Sequence, residues 1–419
     1  MNHIPRTRTV VSCVVLVTAL GAGITACGSE GDPLSATPYD AAGLISFNAP
    51  TGAGKRADPD KPLEVSVKDE GRITDVTAQD STGRFVAGEL SADGSRWHST
   101  SPLAANAHYK VTVSTEDDDG APGRKVLSFD TTQPTAKKQL GVAFGPKAGE
   151  YGVGQIITAQ LSEDVADKAQ RAVVERALRV DSVPAVPGSW YWVSGKELHY
   201  RPKEYWPAHA TILVHSNLDG VKIGDRLWGG KTQPVKLTTG DRVEAVTDAS
   251  AHEMTVFKDG AVINSIPVTT GKPGFETRNG VKVVLEKQYF VRMRGTTVGI
   301  AEGSRDNYDL PVYYATRVTW SGEYVHAAPW SVGSQGYANV SHGCTGMSTA
   351  NARWFFDTVH EGDIVRVVNS NGRPMEPFGN GFGDWNVTWK KWRDGSALTG
   401  TQTGGQSSPD TVRLQPAAV

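Results

Sequence analysis

Cys344 is the residue of this sequence best placed to do chemistry, because it is an unpaired thiol set among small and polar residues. The chain contains three cysteines, at positions 13, 27 and 344. The first two lie in an N-terminal segment with the features of an export signal, so the exported part keeps a single thiol. An unpaired thiol is unusual in an exported protein. Cys344 is therefore a candidate nucleophile.

Two histidines precede Cys344 closely enough to share a site with it. His342 lies two residues before it, and His326 lies eighteen residues before it. A nearby imidazole can accept the thiol proton and remain as an imidazolium that stabilises the thiolate. We expect His326, at the end of a predicted strand, to act as general base and later as general acid, and His342 to shape the pocket.

Gly343 lies between His342 and Cys344 and has a predicted role of its own. Without a side chain it permits a substrate carbonyl to come close, so the amides of Gly343 and Cys344 can form an oxyanion hole. The alternative without catalysis is a buried structural cysteine beside two surface histidines. A zinc site would lack its further expected ligands nearby. We therefore predict no metal and no cofactor.

The composition bounds the classes of protein to which this chain can belong. Its 419 residues suffice for two to four domains. It carries 43 basic and 45 acidic residues, a net charge of −2, which does not indicate a nucleic-acid-binding protein. The 46 Gly, 23 Pro and many Val and Thr residues are typical of a β-rich protein.

Residues 1–27 have the pattern of a signal peptide, with a basic start and an apolar run over 10–20 that is too short to span a bilayer. The run ends in the letters ITACG, which resemble a bacterial lipoprotein cleavage box. We expect lipidation of Cys27, with residues 28–44 as a flexible tether. The alternative is simple secretion with Cys27 incidental. Both place the protein outside the cytoplasm.

Short strand patterns broken by turn residues fill two consecutive regions, 45–133 and 134–240. Strands at this spacing predict two small β-sandwiches. Neither region contains a cysteine pair, so any likeness to immunoglobulin domains concerns architecture alone. In the second region Trp190 and Trp206 favour core packing over the alternative of a sugar-binding platform.

The third region, 241–370, has longer strands. Its Lys258-Asp259-Gly260 segment predicts a β-hairpin, because Asp-Gly suits a type I′ turn. Ser348 is positioned to cap a helix that runs to about residue 360. Cys344 then lies between a sheet and a helix.

Residues 371–394 form a predicted C-terminal subdomain. Trp385, Trp389 and Trp392 have the spacing of one helical face, which predicts a single helix docked on the preceding domain. The Gly, Thr, Gln and Ser content of residues 395–419 predicts a disordered tail.

A family resemblance follows from the segment Ser341-His342-Gly343-Cys344, with His326 upstream in the letters YVHAAPW. These segments closely resemble the L,D-transpeptidases with a YkuD-type catalytic domain. The whole layout is similar to the lipoprotein members from mycobacteria and related actinobacteria. The fold that this resemblance implies is mainly β: two immunoglobulin-like domains, a β-rich catalytic domain and a small C-terminal helical subdomain.

The resemblance also implies a reaction on peptidoglycan stem peptides. Cys344 would attack a tetrapeptide donor after its third residue, meso-diaminopimelate, and release D-alanine. The side-chain amine of diaminopimelate on a second stem would then attack the thioester and form a 3→3 cross-link. By the same carry-over His326 is the base, and His342 and Gly343 line the oxyanion region.

Further site residues come from the resemblance alone. Tyr308, Trp330 and Met293 would shape the substrate cavity and its covering flap, and Ser341 and Gly346 would complete the substrate-binding surface.

Two positions depart from the family pattern. Ala327 stands where similar enzymes often have Ser, and Thr345-Gly346 stands where an apolar residue and then Asn or Arg are usual. The Gly346 departure removes a substrate contact, but neither thiolate formation nor the oxyanion hole depends on that side chain. We still expect catalysis.

The resemblance further implies covalent inhibition by β-lactams of the carbapenem type. It implies an outward location on the cell membrane through the lipid anchor, facing the cell wall, with the first two domains as a stalk. Two alternatives stay open: an L,D-carboxypeptidase that uses the same acyl-enzyme, and a wall-binding lipoprotein with a vestigial catalytic domain. A sortase-like transpeptidase also uses Cys and His, but the sequence has no clear sorting-type Cys motif with a partnered Arg.

Overall fold

The computed structural model describes residues 37–50, 55–68, 71–134 and 138–399. Within these ranges the chain forms three β-rich domains, each with its own apolar cluster, followed by a short C-terminal segment. The cluster of the second domain also includes Ile364 of the third domain and Ala397 of the C-terminal segment. The mainly β prediction is confirmed. The predicted signal peptide, with Cys27, lies outside the described residues. Among the helices that the described ranges contain, none has the length and apolar character needed to cross a membrane.

Domain 1 is a sandwich of two sheets around a core that includes Leu63, Trp97 and Val111. Its strands are β1 (Tyr39–Asp40), β2 (Ile45–Phe47), β3 (Arg56–Ala57), β4 (Glu64–Val67), β5 (Arg72–Asp80), β6 (Gly88–Leu90), β7 (Arg96–Ser99), β8 (His108–Glu116) and β9 (Pro122–Thr131). One sheet has the order β1-β9-β8-β5 with β3 also beside β9, and the other has the order β2-β4-β7-β6.

The start of domain 1 corrects one prediction. Strand β1 pairs in parallel with β9, placing Tyr39 opposite Gly123, and Ala41 is completely buried. The expectation of a flexible tether over 28–44 is therefore wrong for residues 37–44. A strand of two residues is too short to show a periodic pattern. Its partner strand lies more than 80 residues later in the chain, so local sequence does not reveal the pairing.

Domain 2 has a larger core in which Trp190 and Trp206 are buried, as expected for packing residues. Its elements are β10 (Lys138–Leu140), β11 (Val142–Gly145), β12 (Gly149–Tyr151), β13 (Ile157–Leu161), α1 (Lys168–Ala177), β14 (Leu178–Val183), β15 (Gly188–Trp192), β16 (Glu197–Pro202), β17 (Thr211–Ser216), β18 (Lys222–Gly224), β19 (Leu227–Gly229) and β20 (Val235–Thr239). Two four-stranded sheets, β11-β13-β16-β15 and β12-β20-β17-β14, form the sandwich, and β10, β19 and β18 form a small third sheet.

Domain 3 contains two sheets, one α-helix and two short 3-10 helices, Gly295–Val298 and Pro329–Ser334. Its elements are β21 (Val243–Asp248), β22 (Glu253–Lys258), β23 (Ala261–Pro267), β24 (Gly280–Val283), β25 (Glu286–Arg294), β26 (Asp309–Arg317), β27 (Tyr324–Ala327), β28 (Thr345–Met347), α2 (Thr349–Thr358) and β29 (Ile364–Val368). The sheet orders are β23-β22-β21-β29-β24 and β25-β26-β27-β28.

Two local predictions for domain 3 are confirmed. Asp259 and Gly260 join β22 to β23 with φ angles of 52° and 82°, the left-handed pair that a type I′ turn requires. The Ser348 side chain accepts a hydrogen bond from the amide of Asn351 and caps α2. Helix α2 packs on β26 and β27, with Phe355 in the core. The helix therefore begins five residues after Cys344 and closes the core behind it.

The C-terminal segment does not form the single helix that the tryptophan spacing predicts. A short 3-10 helix covers Asp384–Asn386, and α3 covers Trp389–Asp394. The three tryptophans still share one partner, because the guanidinium carbon of Arg201 in β16 lies 4.8, 5.5 and 4.5 Å from the ring centroids of Trp385, Trp389 and Trp392. The spacing of the three tryptophans therefore corresponds to their shared contact with the buried guanidinium of Arg201.

Residues 395–399, at the start of the predicted disordered tail, make specific hydrogen bonds, and residues 400–419 of that prediction lie outside the described residues. The Ser396 hydroxyl donates to the buried Glu175 carboxylate of domain 2, and the Ala397 amide donates to the same carboxylate at 2.7 Å. The expectation of disorder from residue 395 is therefore wrong for 395–399. Small polar residues satisfy a buried acceptor here, which composition alone does not reveal.

Candidate active site

Strand pairing brings His326 and Cys344 to one face of the second sheet of domain 3. Strands β27 and β28 run parallel, with Val325 opposite Thr345 and His326 opposite Gly346. Alternate residues of a strand point to the same face. Cys344 immediately precedes β28, so its side chain lies on the face of Gly346 and His326. Both Cys344 and His326 line the same cavity.

His326 is buried, and a backbone contact fixes its tautomer. Its Nδ1 lies 2.8 Å from the carbonyl oxygen of Ala327. A carbonyl can only accept, so the neutral ring carries its proton on Nδ1 and leaves Nε2 as the basic atom. The contact uses the backbone of residue 327. The Ala327 departure therefore does not remove this hydrogen bond.

Cys344 carries a protonated thiol in this arrangement. Burial raises the pKa of the thiol to about 12, and burial lowers the pKa of His326. The thiol donates to the carbonyl oxygen of Gly322 at 3.5 Å. Both shifts favour a neutral thiol and a neutral imidazole before substrate binds, which agrees with the expected role of His326 as general base. The thiol proton has to leave as the sulfur attacks.

The loop before Cys344 is held by its own hydrogen bonds. The Ser341 hydroxyl donates to the carbonyl oxygen of Cys344 at 2.6 Å and accepts from the Gly343 amide at 3.1 Å. Gly343 has a φ of +117°, a conformation that L side chains rarely adopt. The Thr277 hydroxyl donates to its carbonyl oxygen at 2.8 Å.

These bonds correct the expected oxyanion hole. The Gly343 amide already has a partner in Ser341, so it is not available to a substrate in this state. Of the two predicted donors, the amide of Cys344 is the remaining candidate. Ser341 thus acts on the shape of the loop.

His342 frames the cavity, as predicted, and does so between two aromatic rings. The ring centroids of Phe275 and Tyr308 lie 4.7 and 4.9 Å from that of His342. Burial and the nearby Lys272 lower the pKa of His342, and Asp306 opposes them. Lys272 and Asp306 form an ion pair at 2.6 Å. This pair connects the loop after β23 to the loop before β26.

The cavity beside Cys344 has a volume of about 260 Å³. Eight of the nine predicted catalytic and substrate-binding residues line it, and Gly343 does not. These residues are Met293, Tyr308, His326, Trp330, Ser341, His342, Cys344 and Gly346. Apolar side chains from the β25–β26 hairpin cover one side, and the exposed Trp330 lies at the other. The walls thus combine an apolar surface with a few polar groups at the base, as in typical ligand sites.

The space that a side chain at position 346 would need is already filled. A Cβ atom on Gly346 would lie 2.9 Å from Ala328 Cβ and 3.2 Å from Thr269 Cγ2. The side chains of Ala328 and Thr269 therefore occupy the space that the side chain usual at this position in similar enzymes would need. The cavity floor is closed by hydrocarbon at this point.

Sequence reasoning missed a group of charged residues behind the cysteine. Glu323 forms ion pairs with Arg278 at 3.0 Å and with Lys282 at 2.7 Å. One signal was present in the sequence, because Lys282 interrupts the otherwise apolar run Val281 to Val284. Within the described ranges, no cluster of three or more His, Cys, Asp or Glu side chains is arranged to hold a metal ion.

Comparisons with known proteins place these observations among relatives. Residues 54–222 match the bacterial Ig domain family, and residues 242–367 match the L,D-transpeptidase catalytic domain of the YkuD type. L,D-transpeptidase 2 of Mycobacterium tuberculosis is 35% identical over 401 residues, covering 94% of this chain and 96% of that protein. L,D-transpeptidase 5 of the same species is 30% identical, covering 94% and 87%.

A solved structure of the L,D-transpeptidase LdtMt1 in complex with imipenem is also similar. It is 39% identical, covers 54% of this chain and 99% of its own, and has a TM-score of 0.47.

Proposed function

Because the chain belongs to the L,D-transpeptidase family, we propose that it cross-links peptidoglycan stems through a thioester on Cys344. The observation that carries this proposal is the shared cavity, in which the thiol of Cys344 and the basic Nε2 side of His326 meet an apolar cleft. The donor is a tetrapeptide stem, and the acceptor is the side-chain amine of diaminopimelate on a second stem.

The first half of the reaction forms the acyl-enzyme. The Cys344 sulfur attacks the carbonyl carbon of diaminopimelate while His326 Nε2 takes the thiol proton. The tetrahedral oxyanion is stabilised by the Cys344 amide. The C–N bond then breaks, and His326 returns the proton to the departing nitrogen of D-alanine. A neutral thiol and a neutral imidazole are suited to this sequence, because no charged pair has to form before the substrate excludes water.

The second half transfers the acyl group. The neutral acceptor amine attacks the thioester carbon, and its proton passes to His326 Nε2. The C–S bond breaks, and the thiolate takes the proton back from His326. The apolar cover from the β25–β26 hairpin favours an amine over water as the acceptor by excluding solvent from the thioester. Attack by water would instead make the protein an L,D-carboxypeptidase.

The test is a reaction of the purified protein with a diaminopimelate-containing tetrapeptide stem, followed by mass spectrometry of protein and products. We expect an acyl-enzyme with loss of D-alanine and a 3→3 dimer, and neither product with Cys344→Ser. Tripeptide without dimer would support the carboxypeptidase. Absence of both products with folded protein would contradict the catalytic assignment and favour the wall-binding alternative.

Carbapenems provide a second probe of the same thiol. A strained β-lactam carbonyl can replace the scissile amide, and ring opening leaves an adduct on the sulfur. We expect intact-mass analysis to show one adduct on the protein and none on Cys344→Ser. A wild-type protein without an adduct would contradict the placement of Cys344 at the base of an accessible cleft.

We also propose that Cys27 is lipidated and anchors the protein on the outer face of the membrane, with domains 1 and 2 as a stalk towards the wall. The support is the cleavage-box pattern that ends at Cys27. Fractionation of cells that express the full chain tests the anchor. Cys27→Ala should move the protein from the membrane fraction to the soluble exported fraction, and an unchanged distribution would contradict it.

A further inference from the structure

The segment 322–324 contacts the sulfur of Cys344 through its backbone. The Gly322 carbonyl oxygen accepts the thiol proton at 3.5 Å, and the backbone of Tyr324 also hydrogen-bonds to the sulfur. Glu323 lies between these two contacts. A Cβ atom added to Gly343 would lie 4.0 Å from Glu323 Cγ. The carboxylate of Glu323 is thus attached to the same short stretch of chain that holds the nucleophile.

Glu323 is bound by two cations. Its Oε2 lies 2.7 Å from Lys282 Nζ, and its Oε1 lies 3.0 Å from Arg278 Nη1. The backbone amide of Arg278 donates to the same Oε1 at 3.0 Å. Glu376 lies on the far side of Arg278, with 3.0 Å between Nε and its Oε2. The four side chains form a chain of alternating charge.

Lys282 is the most buried member of this group. Its side chain is 1% exposed and that of Glu323 is 7% exposed, and Lys282 lies in β24 between the partly buried Val281 and the buried Val283. Removing two ions from water is costly, and the attraction between them often only offsets that cost. A buried pair beside a nucleophile is more easily explained by an effect on that nucleophile than by stability.

We propose that Lys282 is a positioning residue for Cys344, whose buried charge offsets that of Glu323 beside the sulfur and so permits the thiol to ionise during catalysis. This proposal rests on the proposed role of Cys344 as nucleophile. Lys282 acts through the field at the sulfur and touches neither substrate nor leaving group.

The charges near the sulfur support this assignment. Burial dominates the pKa of the thiol, Glu323 raises it further, and Lys282 lowers it. Four other titratable groups face the sulfur or line its cavity: His326, His342, Tyr308 and Tyr324. Burial lowers the pKa of both histidines and raises that of both tyrosines, so all four are neutral at pH 8. Burial lowers the pKa of Lys282, and the paired Glu323 carboxylate opposes this shift. The charged ammonium of Lys282 and the carboxylate of Glu323 act on the sulfur with opposite signs, without competition from the four neutral groups.

The experiment is the rate of alkylation of Cys344 by iodoacetamide in the full chain between pH 6 and 9. Alkylation follows the thiolate fraction and needs no stem peptide, so it is read independently of cross-linking. In Lys282→Met, Glu323 keeps its bonds to Arg278 and remains charged. We expect the rate at each pH to fall about tenfold, the effect of one pKa unit.

Two more variants separate a charge effect from structural damage. The double variant Lys282→Met, Glu323→Gln removes both charges, and we expect its rate to return to within about threefold of wild type. Glu323→Gln alone should alkylate at least as fast as wild type. Lys287→Met is the matched control, because Lys287 donates to the Val359 carbonyl in the same domain and should leave the rate unchanged.

The outcomes decide the proposal. The proposal is supported if Lys282→Met is alkylated about tenfold more slowly than wild type and the double variant recovers a rate near that of wild type. A single variant within twofold of wild type, or a double variant as slow as the single, would overturn it. If thermal unfolding shows that Lys282→Met is not folded, Glu323→Gln decides, and a tenfold slower rate there would overturn the charge effect. Loss of cross-linking with normal alkylation of wild type would instead count against the proposed function.

Discussion

Replacing Gly346 by alanine is expected to narrow the cavity beside Cys344. The new Cβ would lie 2.9 Å from Ala328 Cβ and 3.2 Å from Thr269 Cγ2. Carbon atoms do not pack as closely as the first of these distances, so β28 or one of its neighbours has to move. Cys344 lies two residues away on the same face of the sheet, and any displacement of β28 is transmitted to it.

The cost follows from the packing. Overfilling a well-packed core by one methyl group costs about 1–3 kcal/mol. Gly346 lies in a strand without a positive φ, so alanine also restricts the unfolded chain and recovers about 0.4–1 kcal/mol. The net expectation is a destabilisation of about 1–2 kcal/mol, which corresponds to a fall in Tm of roughly 3–8 °C for a domain of this size.

Two measurements on one preparation test this expectation: thermal unfolding, and the rate of carbapenem adduct formation by intact mass. Gly333→Ala is the matched control, because a Cβ there meets no heavy atom within 4 Å and its segment also borders the cavity. The control should unfold at or slightly above the wild-type temperature and acylate normally. Gly346→Ala should unfold earlier and acylate at least tenfold more slowly, as a displacement of about 1 Å near reacting atoms can cost a hundredfold.

The packing argument would be refuted if Gly346→Ala matched Gly333→Ala in both measurements. Early unfolding with normal acylation would show that β28 relaxes away from the site, and it would contradict the proposed coupling to Cys344. Slower acylation with an unchanged Tm would contradict the predicted loss of stability. The slower acylation would then be explained by steric narrowing of the cleft alone.

Three further predictions concern other parts of the chain. Burial lowers the pKa of His199, but its bonds to Asp384 and Glu197 outweigh this and raise it to about 9 from 6.5. The contribution of His199 to stability is therefore complete below pH 6.5 and lost towards pH 9, so chemical unfolding should show the stabilisation relative to His199→Gln shrinking by about 3 kcal/mol over that range. Burial raises the pKa of Asp363 from 3.8 to about 7, so the folded state binds the extra proton. Between pH 4 and 7 the free energy of unfolding of wild type should fall by up to about 4 kcal/mol relative to that of Asp363→Asn. Tm is measured for both proteins across this range: a larger fall for wild type would support the prediction, and equal falls would contradict it. Ser341→Ala removes two hydrogen bonds of the loop before Cys344 and should cost about 1–2 kcal/mol and slow carbapenem acylation, whereas unchanged acylation would show that Gly343 alone shapes the loop.

Local physics made several features of this protein predictable. The Asp259-Gly260 turn follows from which residues tolerate positive φ, and the Ser348 cap follows from an acceptor placed before a helix. Cys344 was identifiable because an unpaired thiol in an exported chain requires an explanation, and the neighbouring histidines limit the chemistry. The likeness to the L,D-transpeptidases rested on these same residues, and the comparisons confirm it.

Features that depend on distant partners were not predictable from local patterns. Residues 37–44 were expected to be flexible, but β1 is ordered by its pairing with β9. Residues 395–399 were expected to be disordered, but they are ordered by hydrogen bonds to the buried Glu175. The three C-terminal tryptophans have helical spacing, yet they converge on Arg201 from two separate short helices. In each case the ordering energy comes from contacts that no window of sequence contains.

The sequence alone therefore determined which atoms of this protein can react and in what order along the chain they occur. Only the tertiary structure decided their protonation, their hydrogen-bond partners and the charges behind them. Burial raises the pKa of the thiol, the Gly343 amide is occupied because the loop folds onto Ser341, and Lys282 of β24 forms an ion pair with Glu323. The burial of a group and the electrostatic field that acts on it depend on all neighbouring atoms, and the fold determines which atoms are neighbours.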